Sequence, residues 1–520
     1  MVYMDSKKKI VRSFVIESVL IALVALAFGS LLFISPFYGD LNFIDEGQLG
    51  AWVNHMLLGK HMYEDVYIPY GPLYVYPLFV LFKLFSPSAS LIRIYMTIGT
   101  VISIATINIL LYVSKVRTIE RRVILLFLIL IPGLSFRQGG GFLVLLFIAL
   151  LLLYKKKSFY FLTGIFSIVS FLISPDIGLF SILVCTGIIF LRLLFSKKIK
   201  SEILNLFYFL IGIVLVSSIF FLWSSHEGWF NSYMYTTADA LISFSGINSP
   251  NGKNFPVPNV ISFVISKDGF LYWMLIVYLG AFFYLLIRFI LRLLSEQDKI
   301  ISLLFLYGIV LYVVVIGRPG HIFFVIHPVI IISILFITKL LTKVESNGKR
   351  EKFFTVVFLT FLCIFYFRLL LIFRQNFVKA SFTPFVLFRE FTNPFRVGYI
   401  EITPNQRNYI RDVQKFVNTN TTKADLIFFL SDEPMMYMLT NKINPTRYDL
   451  PFMANIIEKR YELIYDLQKN KPKFIFYNNN AWVVDDVDNF KRIPEIKNLL
   501  DTFYTKEYLT NSIFVYRIKE

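Results

Sequence analysis

Residues 37–50 read Phe-Tyr-Gly-Asp-Leu-Asn-Phe-Ile-Asp-Glu-Gly-Gln-Leu-Gly and place two adjacent acids, Asp45 and Glu46, just after a long apolar run. Beyond the acids, apolar side chains recur at i, i+3, i+4, i+7 and i+8, namely at Leu49, Trp52, Val53, Met56 and Leu57. This spacing predicts one apolar stripe on a helix that ends at Gly59. A short amphipathic helix beside a membrane span is expected to lie in the interface plane.

The acid pair has two interpretations. Asp45 followed three residues later by Gln48 is typical of a capping box at a helix N-terminus, which needs no function. Alternatively, Asp45 and Glu46 form an acid/base or metal site at the membrane surface. The two interpretations are compatible. Farther along, the run 71–85 is too short to span a bilayer comfortably and predicts a second interfacial or partly inserted helix.

Composition identifies lipid as the main solvent of the chain. Of its 520 residues, 56% are hydrophobic and 17% are charged, against about 25% charged residues in a typical soluble domain. A water-soluble enzyme, a disordered protein and a disulfide scaffold are therefore excluded. About 11 spans are predicted, with a range of 9 to 11 because Pro132 interrupts one run. The apolar runs lie near 13–35, 91–113, 122–136, 138–154, 158–174, 177–195, 203–223, 269–291, 300–316, 322–341 and 353–372.

The net charge of +18 indicates orientation. One set of short loops holds 22 basic residues and the alternate set holds seven. Because Lys and Arg accumulate on the cytoplasmic side, the N-terminus is predicted to be cytoplasmic in a multi-pass protein of the cell membrane. An odd number of spans then places everything after about residue 373 outside. Most of the positive charge lies in the predicted cytoplasmic loops and is explained by membrane orientation. A nucleic-acid partner is therefore excluded.

The predicted organisation is a transmembrane catalytic domain, 1–372, followed by an extracytoplasmic domain, 373–520. Within the first, 36–90 and 224–268 are the outer loops. The last domain has strand-like segments at 426–430, 473–477 and 513–518 and a helical segment at 452–469. Strands alternating with a helix predict a small α/β domain. No glycine fingerprint for a dinucleotide opens its helices, so a lid or docking role without chemistry is favoured.

The first loop resembles the type C (GT-C) membrane glycosyltransferase superfamily, in the branch of the protein O-mannosyltransferases and the lipid A aminoarabinose transferase. The close match covers about 60 residues. Four segments carry it: Asp45-Glu46, Leu57-Leu-Gly59-Lys-His-Met-Tyr63-Glu-Asp65, Tyr70-Gly71-Pro72-Leu73-Tyr74 and Ser90-Leu-Ile-Arg93.

The resemblance implies an inverting transfer of a hexose or pentose from a polyprenyl-phosphate donor to a lipid, glycan or protein acceptor at the outer face. It makes Asp45 the general base with Glu46 beside it, and it makes further site candidates of Tyr63, Asp65, Tyr70 and Arg93. One departure matters. The aminoarabinose branch carries a Lys that contacts the donor phosphate just before a double Pro, and here the stretch reads Ile68-Pro-Tyr-Gly-Pro72.

Cations for the donor phosphate must therefore come from elsewhere. Arg137, Arg318 and His321 lie at predicted outer ends of spans, as does Asp176, and an Arg offers a phosphate bidentate, permanently charged contacts. These residues are predicted to share one cavity with Asp45. Snorkelling arginines and a helix-capping Asp176 are the alternatives. No cofactor is indicated with certainty. A divalent metal on the acid pair is possible, although no hard ligands at recognisable spacing support it.

Two other functions compete with sugar transfer. A transporter or flippase of a lipid-linked saccharide would place ionisable residues near the bilayer midplane. Here the predicted spans are nearly free of charge in their interiors, and the candidate residues cluster at the outer interface. A non-catalytic scaffold would tolerate Asp45→Asn without any change in cellular activity.

Overall fold

The protein is described by a computed structural model that divides it into two compact units. We call residues 96–220 and 252–384, with 1–34, the helical unit, and residues 35–95, 221–251 and 385–520 the mixed unit. The structure describes residues 39–130, 134–154, 156–195, 199–244, 269–291, 293–315, 323–344, 393–484, 487–510 and 512–519, together with Glu17 and Leu20.

Helices occupy most of the described chain before residue 345. They are α1 (Asp45–Leu57), α2 (Pro72–Leu84), α3 (Ala89–Val113), α4 (Thr118–Leu130), α5 (Phe136–Tyr154), α6 (Lys157–Ile173), α7 (Pro175–Phe195), α8 (Ile199–His226), α9 (Phe230–Phe244), α10 (Gly269–Ile290), α11 (Glu296–Val315) and α12 (Phe323–Val344).

The apolar runs predicted from the sequence are helices wherever the structure describes them. Four of these helices, α3, α5, α7 and α8, are long and apolar enough to cross a membrane. Shorter apolar helices accompany them, among them α6 and parts of α10 and α12. The chain is therefore a multi-pass membrane protein. The predicted runs 13–35 and 353–372 lie outside the described residues, apart from Glu17 and Leu20, so the span count and the orientation stay predictions.

The helical unit is packed through small residues on its inside and covered with apolar side chains on its outside. Where α6 meets α8, a Cβ added at Gly164 would come within 2.2 Å of the Phe209 carbonyl oxygen, so these two backbones touch. Close approach through small residues is how membrane helices gain packing energy. On the outside, α8 leaves Phe207, Leu210 and Val214 exposed, as expected where lipid is the solvent.

The mixed unit contains a four-stranded sheet in the order β1-β2-β4-β3. Strands β1 and β2 are parallel, and the other two pairs are antiparallel. The C-terminal elements are α13 (Pro404–Asn420), β1 (Ile427–Phe429), α14 (Met435–Thr440), α15 (Ile457–Asn470), β2 (Phe474–Asn478), α16 (Asn489–Arg492), α17 (Glu495–Phe503), β3 (Tyr504–Tyr508) and β4 (Ile513–Ile518). The prediction of a small α/β fold is confirmed, with three of its four strands placed correctly.

The two predicted loop helices are present, but they differ in burial. In α1 the polar side chains of Gln48, Asn54 and His55 are buried along with the apolar stripe. This helix therefore packs inside the mixed unit, against α2 and α14, rather than showing a polar face to water. Helix α2 buries Val75 and Leu78 on one side and exposes apolar side chains on the other, which suits the predicted interfacial position.

Candidate active site

Asp45 is the first residue of α1 rather than its cap. Ile44 occupies the N-cap position, and its side chain makes no capping bond. The cap comes from Asn42, whose Oδ1 accepts hydrogen bonds from the backbone nitrogens of Ile44 at 3.0 Å and Asp45 at 2.9 Å. The predicted capping box of Asp45 and Gln48 is therefore wrong, because the chain turns toward the helix three residues earlier. Asp45 is not used to cap the helix.

The Asp45 carboxylate is exposed and oriented from one side. The Asn42 Nδ2 donates to Asp45 Oδ2 at 2.8 Å, and this is its one side-chain hydrogen bond within the described part of the chain. A carboxylate with one oxygen directed by an amide and with access to solvent can accept a proton from an incoming nucleophile.

Its neighbour Glu46 is held in a buried ion pair. Arg93 donates through Nε to Glu46 Oε2 at 2.9 Å and through Nη2 to Oε1 at 3.1 Å, while Glu46 is 1% exposed and Arg93 2%. Burial raises the pKa of the Glu46 carboxyl above its usual value, and the adjacent guanidinium opposes that shift. Because both carboxylate oxygens face Arg93, Glu46 is placed to hold the site together rather than to reach a substrate.

Arg93 also fixes the backbone that leads into Asp45. Its Nη1 donates to the Gly39 carbonyl at 3.0 Å and its Nη2 to the Asp40 carbonyl at 2.7 Å. From α13, the Gln406 side chain closes two hydrogen bonds with the backbone of Leu41, at 2.8 and 3.0 Å. The loop before Asp45 is thus clamped from two sides. Sequence reasoning missed Asn42 and Gln406, and no local pattern marks the second of them.

A close backbone contact completes the frame around the acid pair. A Cβ added at Gly47 would lie 2.5 Å from the Met435 backbone nitrogen at the start of α14. That same nitrogen donates to the Phe43 carbonyl at 3.2 Å. The glycine after the acid pair is therefore required for α1 to approach α14, and this approach fixes the direction of the first helical turn.

Three further candidates lie in the mixed unit and have structural contacts of their own. Tyr63 is fully buried, has a left-handed φ of 65° and donates to the Tyr70 carbonyl at 2.7 Å. Asp65 accepts from the His61 backbone nitrogen at 2.7 Å, which closes a tight loop. The Tyr70 ring packs edge-on against Trp52. These contacts shape the segment after α1 rather than bring polar groups to Asp45.

In the helical unit, the structure brings together two candidates that the sequence separates. Arg137, at the start of α5, donates through Nη2 to Asp176 Oδ2 at 2.7 Å and through Nε to Ser174 Oγ at 2.9 Å. Ser174 in turn donates to the other oxygen of Asp176. The α5 and α7 starts are thereby joined by a nearly buried, charge-balanced cluster.

Arg318 and His321 lie outside the described residues, so their predicted role and the predicted cavity shared with Asp45 stay predictions. In the described ranges, no three His, Cys, Asp or Glu side chains converge as metal ligands would. Asp45 and Glu46 do not fit a metal together, because Arg93 engages both oxygens of Glu46.

The fold of this chain recurs in solved structures of other proteins, at sequence identities that show the fold alone. Two solved structures share it across 97% of this chain. One is the archaeal oligosaccharyltransferase AglB from Archaeoglobus fulgidus in complex with an inhibitory peptide and a dolichol-phosphate, with a TM-score of 0.55, 12% identity and 74% of that chain covered. The other is ArnT from Cupriavidus metallidurans bound to undecaprenyl phosphate, with a TM-score of 0.53, 13% identity and 98% of that chain covered.

Comparison of sequences adds nothing to this likeness: no protein-family model matches the chain, and no curated protein matches it either. The predicted resemblance to the superfamily is confirmed at the level of the fold.

Proposed function

We propose that this protein transfers a sugar from a polyprenyl-phosphate donor to an acceptor at the outer face of the membrane, with Asp45 as the general base. The observation that carries the proposal is the contrast within the acid pair. Asp45 is exposed and directed by Asn42, while Glu46 is buried and locked to Arg93. Two structures with the same fold hold a polyprenyl-type lipid phosphate, which supports a donor of that class.

The proposed reaction is a single displacement. The acceptor hydroxyl or amine attacks the anomeric carbon, its proton passes to the Asp45 carboxylate, and the bond from that carbon to the phosphate oxygen breaks. The electron pair leaves with polyprenyl phosphate, and the configuration at the sugar carbon is inverted. General-base assistance of this kind contributes about 10²–10⁴-fold to rate. Glu46 and Arg93 act as positioning residues, since they hold the helix start and the preceding loop.

The leaving phosphate gains negative charge and needs cations. Arg137, Arg318 and His321 are our proposed donor-phosphate residues. Asp176 and Ser174 already direct Arg137, which presents its guanidinium in a fixed plane. A phosphate that enters beside this cluster would compete with Asp176 for the same cation, so we assign Asp176 to orienting Arg137.

The experiment that tests transfer against transport uses protein in detergent micelles, where no compartments exist. A radiolabelled polyprenyl-phosphate hexose and a matching pentose are incubated with the purified chain and a membrane extract as the acceptor source. The proposal expects release of polyprenyl phosphate that depends on the acceptor extract. If the donor stays intact in micelles and is moved across the bilayer of proteoliposomes, the chain is a flippase and the proposal fails.

A further inference from the structure

A pocket in the mixed unit lies at the carboxyl end of the two parallel strands, and Asp45, Glu46 and Arg93 are not among its described lining residues. Its walls come from the residues that follow β1, including Asp432, from Asn478 at the end of β2, and from Trp482 and Asn489 beyond it. It is a shallow, open pocket, whose empty space amounts to about 270 Å³ when the open solvent at its mouth is included. Ligands of open α/β sheets bind at this edge, outside the carboxyl ends of the strands.

The floor of the pocket is formed by acceptors. Asp432 is 4% exposed, and its Oδ1 accepts from the Phe452 backbone nitrogen at 3.1 Å. The Asn489 side chain donates through Nδ2 to the Leu430 carbonyl at 2.8 Å. Its Oδ1 is buried and receives no hydrogen bond from any residue that the structure describes. A buried acceptor left without a donor costs about 1–3 kcal/mol, so a ligand hydroxyl at this place would be favoured.

The rim of the pocket carries a large aromatic surface. Trp482 is 68% exposed, although tryptophan is highly buried in most folded proteins. An indole ring offers a flat apolar face together with an N–H donor at its edge. An exposed ring in the same lining as buried acceptors suits a ligand that is apolar on one face and rich in hydroxyl groups at its edges, as a pyranose ring is.

The charge of the pocket selects against anions. Asp432 and Asp488 both line it, and no Lys or Arg is among its described lining residues. Tyr477 donates its hydroxyl to Asp488, which keeps that carboxylate in place. Arg492 acts on Asp432 from outside the lining, but a phosphate or a nucleotide in the pocket would still face two carboxylates, which makes such a partner unfavourable. A metal ion is not favoured, since the described acids do not converge in a ligand set.

We propose that this pocket binds a neutral saccharide, whose hydroxyls donate to Asn489 Oδ1 and Asp432 while its C–H face stacks on Trp482. No bond is made or broken in this site. The proposal goes beyond the transfer reaction and does not depend on it, because Asp432, Trp482 and Asn489 take no part in the hydrogen bonds described above for Asp45, Glu46 and Arg93.

The test measures binding of free trisaccharides to the full chain in lipid nanodiscs, which avoid sugar-headed detergents. Maltotriose, mannotriose, chitotriose and the anionic trigalacturonate are titrated with saturation-transfer NMR as the readout. At least one neutral trisaccharide is expected to bind, and Trp482→Ala is expected to weaken it about tenfold or more. Trp482→Phe should keep most of the affinity, and trigalacturonate should bind about tenfold more weakly than the neutral sugar.

Two controls keep the result specific. Tyr508→Ala removes another exposed aromatic ring of the same sheet and should leave binding unchanged. Asp45→Asn should also bind like the wild type, so that a failure of transfer and a failure of this pocket are distinguished. Displacement by a polyprenyl-phosphate hexose would place the pocket in the donor site and overturn the proposal of a separate glycan site, whereas binding that the donor leaves unchanged supports it.

Three other outcomes overturn the proposal: no trisaccharide binds, Trp482→Ala binds as tightly as the wild type, or EDTA abolishes binding and calcium restores it. The last would make the pocket a cation site. Trp482 is mostly exposed, so its variants are expected to fold, and their thermal unfolding is measured alongside binding.

Discussion

Replacing Arg93 by Met should strongly destabilise the mixed unit. Arg93 and Glu46 make two nitrogen–oxygen contacts, at 2.9 and 3.1 Å, and both side chains are at most 2% exposed. Removing one partner of a buried pair leaves an uncompensated charge, which costs about 3–5 kcal/mol of unfolding free energy. The matched control is Arg517→Met. Arg517 pairs with Glu507 on the surface, where both partners are about 40% exposed, and the expected cost there is about 0–1 kcal/mol.

The double variant Glu46→Gln with Arg93→Met separates charge from positioning. It removes the buried charge and still lacks the two hydrogen bonds from Arg93 to the carbonyls of Gly39 and Asp40. At about 1 kcal/mol for each lost bond, its unfolding free energy should be about 2 kcal/mol lower than that of the wild type. It should still be higher than that of the single Arg93→Met variant. Its turnover should stay at least about tenfold low, because the loop before Asp45 is no longer clamped.

The sign of the pH dependence checks the same pair. Burial raises the folded-state pKa of Glu46, and Arg93 opposes that rise. In Arg93→Met the opposing cation is gone, so the pKa of Glu46 rises further. A carboxyl whose pKa is higher in the folded state than in the unfolded state loses stability as pH rises between the two values. Arg93→Met should therefore unfold at a lower temperature at pH 8 than at pH 5, as followed by fluorescence in detergent.

If Arg93→Met lowers the unfolding free energy no more than Arg517→Met does, the buried pair does not stabilise the mixed unit as inferred. If the double variant is less stable than Arg93→Met alone, the buried charge is not the source of the loss.

Three further predictions concern other parts of the protein. Gly47→Ala should lower both thermal stability and turnover, by about 1–3 kcal/mol in unfolding free energy, because its Cβ would lie 2.5 Å from the Met435 nitrogen; an unchanged melting temperature would contradict the close contact. Burial raises the pKa of Asp432 to about 6 from 3.8, so unfolding free energy should fall by about 3 kcal/mol as pH rises from about 4 to about 6. The melting temperature of Asp432→Asn should depend less on pH in this range. An equal pH dependence in the variant and the wild type would show that another group titrates. Arg137→Gln should raise the KM for the polyprenyl-phosphate donor about tenfold or more in initial-rate measurements, and an unchanged KM would remove Arg137 from the donor site.

Much of the fold could be predicted from the sequence because lipid imposes a simple rule. A run of about 20 apolar residues must be helical to satisfy its backbone, and each such run that the structure describes is a helix. Strand β4 was predicted at its observed bounds, Ile513–Ile518. Strand β3, Tyr504-Thr-Lys-Glu-Tyr508, was missed because it is an edge strand with mostly exposed polar residues, and its apolar alternation is weak.

The place of the acid pair at the start of a helix was predicted correctly, but its surroundings could not be predicted. Gln406, which clamps the backbone of Leu41, is 365 residues away in sequence. A partner so distant leaves no trace in local spacing. The capping prediction failed for a different reason: Asn42 is a good cap as well, and sequence alone did not show where the first helical turn begins. The proposed roles of Asp45 and Glu46 differ because one side chain is exposed and the other is buried. The residue types of two neighbours in the sequence do not indicate this difference in burial.

The central claim is that Asp45 is the general base and that Asn42, Glu46 and Arg93 hold it in position. The most direct measurement is the turnover number of Asp45→Asn with a saturating polyprenyl-phosphate sugar, beside Glu64→Gln, an exposed acid in the same loop. The account predicts a loss of about 10²–10⁴-fold for Asp45→Asn, with unchanged thermal unfolding, and wild-type turnover for Glu64→Gln. Turnover of Asp45→Asn within about twofold of the wild type would contradict it.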